Sequence, residues 1–162
     1  MDITVPMAVT IAVHVGCGVV AVVCGPGAML TRKGSPRHRG FGRIYLGALV
    51  GLGLTAPVLA AVDWAHRWHL AALGGLALGA ATVGAAAVRW LRPVRLAAHI
   101  TGMGAAYIVM LTAFYVDNGP RLPLWDQLPP IAFWILPAAV GTPVLLSALH
   151  RHRGVRPPAR PT

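Results

Sequence analysis

The apolar positions along this chain neither alternate nor recur on a single face; they run on without interruption. Five stretches reach the roughly 17–25 residues that a helix needs to cross a bilayer. They lie at about 5–30, 42–62, 68–88, 96–116 and 131–149. The fifth is the shortest and contains Pro137 and Pro143, so a kinked or tilted helix is expected there. Charged residues lie only at the ends of these stretches or in the short segments in between. The pattern predicts an all-α integral membrane protein with five transmembrane helices. They form a single domain over residues 1–150, with an up-down four-helix core and a fifth C-terminal helix. A basic tail follows at 151–162.

Charge supplies the orientation. Arg32, Lys33, Arg37, Arg39 and Arg43 lie in the first loop, Arg89, Arg92 and Arg95 in the third, and Arg151, Arg153, Arg156 and Arg160 in the tail. Alternating loops therefore carry twelve basic residues on one side, against Arg67 and Arg121 on the other. All four acids, Asp2, Asp63, Asp117 and Asp126, share that other side. Basic loops stay in the cytoplasm, so the expected topology is N-terminus outside and C-terminus inside. Trp64, Trp68, Trp90 and Trp125 fall at helix ends, where amphipathic rings settle at the headgroups.

Composition narrows the function classes. A mean hydropathy of +0.66 with only 11% charged residues excludes a soluble domain of this size. A net charge of +10 would suggest nucleic acid in a soluble protein. Here the cations sit between apolar runs, so the expected partners are anionic lipid headgroups and not nucleic acid. The N-terminus lacks a basic n-region, so no secretory signal peptide is expected. Walker, dinucleotide, nucleophile-elbow and His-Glu-x2-His motifs are absent. No acid lies mid-membrane, which argues against a carboxylate-coupled transporter.

Small residues dominate the first four helices. Gly47-x3-Gly51 and Gly75-x3-Gly79 have the spacing that lets helices approach closely. On helix one, His14, Cys17, Gly18, Ala21, Cys24 and Gly25 fall within about 120° of arc. Seven residues along a helix separate the two cysteines by roughly 10 Å, too far for a disulfide. Packing against a neighbouring helix explains this face. A copper site built from His14, Cys17 and Cys24 is an alternative.

The seven histidines are the most informative chemistry. His150 and His152 belong to the basic tail, and His66 and His69 lie at the outer boundary. His14 and His99 fall within helices, where an ionisable group is a functional-site hypothesis by default. In an up-down arrangement, His14 and His69 make an outer pair, and His38 and His99 an inner pair. Facing imidazoles are what a transmembrane b-type haem requires. Depth separates the two pairs. His14 lies roughly 14 Å inside its helix while His69 sits at the boundary, so an outer haem is disfavoured. The inner pair is offset by only about 5–8 Å, so one haem or quinone near the cytoplasmic leaflet is the better expectation. Arg37, Arg39 and Arg43 then become candidate donors to propionates, a quinone headgroup or a phosphorylated ligand, beside anionic lipid as the simpler partner.

His14, Gly25-Pro26, His38-Arg39-x2-Gly42-Arg43-x-Tyr45, His99-x3-Met103-x3-Tyr107 and Thr112-Ala113-Phe114 together resemble a family of bacterial membrane proteins. That family is known only as a domain of unknown function. The resemblance implies a compact multi-pass fold in the bacterial plasma membrane. It also implies that His14, His38, Arg39, Tyr45 and His99 are its characteristic polar residues, and it implies no reaction. Three expectations stand: a small redox or cofactor-binding protein, an accessory or assembly subunit of a larger membrane complex, and a metal-handling protein.

Overall fold

The computed structural model of the protein describes residues 5–90, 95–123 and 125–153. Asp2, Arg92, Arg156 and Arg160, which entered the topology argument, lie outside the described residues. Five helices follow one another: α1 (Val5–Leu30), α2 (Pro36–Ala61), α3 (Trp64–Trp90), α4 (Arg95–Asn118) and α5 (Pro130–Arg153), with a 3-10 turn at Gly119–Arg121. All five are long and apolar enough to cross a membrane. The chain has the architecture of a five-span membrane protein, packed up and down.

α2 begins six residues earlier than hydropathy suggests, because its first turns are polar. Ser35 caps it by accepting from the His38 backbone N–H at 3.1 Å, and Pro36 occupies the first turn. The α1–α2 turn before it is tight. Gly34 adopts φ +78°, a conformation that penalises any side chain. Lys33 donates from Nζ to the Met29 carbonyl at 2.7 Å, closing the α1 C-terminus. α3 and α5 also extend beyond their apolar cores, α3 from Trp64 and α5 to Arg153.

Neighbours in sequence are neighbours in space: α1 packs on α2, α2 on α3, α3 on α4 and α4 on α5. The tightest crossing joins α3 to α4. A Cβ on Gly102 would lie 2.6 Å from Gly84 Cα, and one on Gly84 would lie 2.9 Å from the Met103 nitrogen. Backbone cannot yield as a side chain can, so both positions require glycine. The two expected small-x3-small pairs do other work. Gly51 seats the Cys17 side chain of α1, whereas Gly47, Gly75 and Gly79 have open space where a Cβ would be. Among the described residues α1 and α4 share no extended backbone contact, and side chains alone close the seam between them. Tyr107 bridges it, its ring lying over Gly25 and its hydroxyl donating to the Val22 carbonyl at 3.2 Å.

Candidate functional site

α2 and α4 both start at the arginine-rich end and run in the same direction. His38 is in the first turn of α2, and His99 in the second turn of α4. Their rings meet edge to face, with centroids 6.2 Å apart and planes at 74°. The depth offset expected between them is small enough for the side chains to close.

Each ring is tethered through the same atom. His38 Nδ1 lies 2.9 Å from the Ala28 carbonyl of α1, and His99 Nδ1 lies 2.9 Å from the Gly84 carbonyl of α3. A carbonyl oxygen only accepts, so in both rings Nδ1 carries the hydrogen. When neutral, each ring therefore keeps its lone pair on Nε2. His38 also satisfies one of the orphan carbonyls that end α1, a structural role in its own right. That role explains Nδ1 and leaves Nε2 free to act as a ligand or acceptor.

Roughly 10 Å deeper by helical rise, a second pair faces across the same two helices. The rings of Tyr45 and Tyr107 have centroids 6.1 Å apart. Tyr45 is 2% exposed, and its hydroxyl has no hydrogen-bond partner. It belongs to one buried cluster with Ala21, Cys24, Ala48, Leu49 and Ala106.

Arg39 and Arg43 do not join the histidine pair. Both are exposed, and at 100° per residue they lie about 100° and 140° around α2 from His38, whereas Tyr45 shares its face. Arg37 is exposed as well. These side chains form a cationic flank around the mouth of the site and do not line its floor.

His14 is drawn elsewhere. Its Nδ1 lies 2.7 Å from Thr55 Oγ1 of α2, whose own hydroxyl hydrogen goes to the Gly51 carbonyl at 2.7 Å. His14 is therefore the donor to Thr55. His69 stands among aromatic rings, its centroid 5.6 Å from Trp134 of α5 and 6.2 Å from Trp68. The outer pair does not assemble: each imidazole has its own neighbours. Cys17 and Cys24 are free thiols, and among the described residues no three His, Cys, Asp or Glu side chains gather as a metal set. His14, Cys17 and Cys24 thus do not form a three-donor copper site.

The contributions that sequence reasoning missed are mostly backbone. The Ala28 and Gly84 carbonyls carry no residue-type signal. Thr55 did have one, as a hydroxyl inside an apolar span that could be matched with His14. No family model matches the chain, and no curated protein or solved structure matches it. The family resemblance therefore rests on the motifs alone.

Proposed function

We propose that this chain is a small membrane redox protein that holds a b-type haem at its arginine-rich end through His38 and His99. The observation that carries this reading is the tethered pair, with two imidazoles on facing parallel helices and both Nε2 lone pairs free. A hydrogen bond from Nδ1–H to a carbonyl is the support that metal-ligating histidines ordinarily have.

Two imidazoles alone are a poor metal site, and no third His, Cys, Asp or Glu joins them among the described residues. Haem suits that poverty, because its macrocycle would supply most of the iron ligands and leave only two for His38 and His99. Bound haem would supply one-electron chemistry. His38 and His99 would fix the iron, and their backbone tethers would hold the rings in orientation. The exposed arginines at the rim suit haem propionates or anionic headgroups equally. The same residues are the basis for assigning this end to the cytoplasm.

The test is the absorption spectrum of the full chain, purified in detergent and titrated with hemin. One haem per chain should bind, with a Soret band that shifts on dithionite reduction. Loading should be lost in His99→Ala and His38→Ala and kept in His14→Ala. A protein that stays colourless after titration and after expression with added haem would end this reading.

A second reading has its own observation. α3 and α4 leave an open apolar groove of about 520 Å³ that includes Gly75, Gly79, Ala98 and Ala105. Small residues on a lipid-facing surface suit a partner helix, as in an accessory subunit of a membrane complex. Affinity purification from the native membrane, with Gly79→Leu as the control, would decide it. A defined partner lost in that variant favours this reading, and the absence of any partner removes it.

A further inference from the structure

Among the described residues, the Tyr45 hydroxyl is the one buried side-chain polar atom left without a hydrogen-bond partner. A buried phenol that donates to nothing costs stability that phenylalanine would not, so its acceptor should come from outside the chain. The surroundings restrict what that acceptor can be. Among the described residues no charged side chain is buried, which disfavours a phosphate or carboxylate there and favours a neutral carbonyl.

The route of access restricts it further. The seam between α1 and α4 is closed by side chains alone, and Tyr107 bridges it, its ring forming the wall opposite Tyr45. Whatever arrives through that seam is dissolved in lipid. It meets a tyrosine ring, a phenol donor and, toward the arginine-rich end, the two Nε2 lone pairs. Tyrosine side chains on helices lean toward the N-terminus, so on α2 and α4 they lean toward the histidines. Tyr107 displays this lean. It is twelve residues into α4, yet its hydroxyl reaches Val22, which is eight residues from the same end on α1.

We infer that the α1–α4 seam admits the headgroup of a membrane quinone, one carbonyl of which accepts a hydrogen bond from Tyr45. Tyr107 is the latch: its ring must leave Gly25, and its hydroxyl the Val22 carbonyl, for the headgroup to enter. The second carbonyl, across the quinone ring, then faces the histidine pair. The site is distinct from the iron position and goes beyond the haem reading. Its test does not depend on colour.

The full chain in detergent is titrated with ubiquinone-1 and with menadione, and binding is read by equilibrium dialysis. Wild type should bind one of them saturably, and Tyr45→Phe should weaken that binding roughly tenfold, the worth of one buried hydrogen bond. Without quinone, the same variant should melt at or above the wild-type temperature, because it removes an unpaired hydroxyl. A lower melting temperature with unchanged affinity would mean that the hydroxyl is bonded within the protein, and would overturn the proposal. Equal affinity at any melting temperature, or no saturable binding, would also overturn it. Should Tyr45→Phe fail to fold, an azidoquinone cross-linked to wild type decides instead. Label at the α1–α4 seam supports the site, and label confined to other helices refutes it.

Discussion

The two ends of this bundle carry the same chemistry and do different things with it. At the arginine-rich end, His38 and His99 meet with rings 6.2 Å apart. At the opposite end, His14 and His69 also lie on two parallel helices, α1 and α3, and do not meet. His14 is spent on Thr55, and His69 is packed against Trp134. Parallel diagonal helices are therefore not sufficient. A pair needs a common depth and facing sides, and only the arginine-rich end has both. There, each backbone tether comes from the helix beside the ligand, α1 for His38 and α3 for His99. All four core helices thus orient two rings.

The largest effect expected from breaking this arrangement lies in the α3–α4 crossing. Gly102→Leu drives a side chain into the Gly84 backbone and should cost about 3 kcal/mol or more, enough to lose folded protein on size exclusion. Gly79→Leu, on the same helix pair but in open space, should stay within about 0.5 kcal/mol of wild type. If the two variants behave alike, the close crossing is not what holds the arginine-rich end together.

Next come the imidazoles. His38→Ala or His99→Ala should each abolish haem loading, while His69→Ala leaves it intact. His14→Ala should also leave loading intact but lower stability by about 1 kcal/mol through the lost bond to Thr55. Thr55→Val should couple to His14→Ala, with a double-mutant interaction of about 0.5–1.5 kcal/mol. Additive losses would show that the pair does not interact.

The smallest effect lies outside the membrane, in the α2–α3 turn. His66 Nδ1 lies 2.9 Å from Asp63 Oδ1, and this hydrogen bond holds the Asp63 carboxyl below its ordinary range. A depressed carboxylate adds stability only while it is ionised. The contribution is therefore present above the ordinary Asp range and is lost as pH falls through the folded-state value. The pair is exposed, so the effect should be slight and salt-sensitive. An NMR titration of Asp63 should report the lowered value, and His66→Ala should raise it toward the ordinary one.

The five spans were legible because a helix in lipid must be apolar along its length, and each run announces itself. The start of α2 was harder to see, since Pro36-Arg-His-Arg-Gly reads as loop by hydropathy. Ser35 before Pro36 was the better signal, a cap followed by a first-turn proline. That shift of six residues turns His38 from a loop residue into one held by a helix. The histidine pair itself could be named from residue type and topology. Its tethers could not, because main-chain carbonyls look the same in every residue. The placement of the arginines was legible only in part, for a related reason. Proximity in sequence placed Arg39 and Arg43 beside His38, but helical rotation turned them to the flank.

The most direct test of the central claim, that His38 and His99 are paired axial ligands, is low-temperature electron paramagnetic resonance of the ferric, hemin-loaded chain. Wild type should give a low-spin bis-imidazole signal. His99→Ala, which loses haem by itself, should regain loading and the low-spin signal when exogenous imidazole is added. A low-spin signal that survives His99→Ala without added imidazole, or a wild-type chain that takes up no haem, would contradict the account.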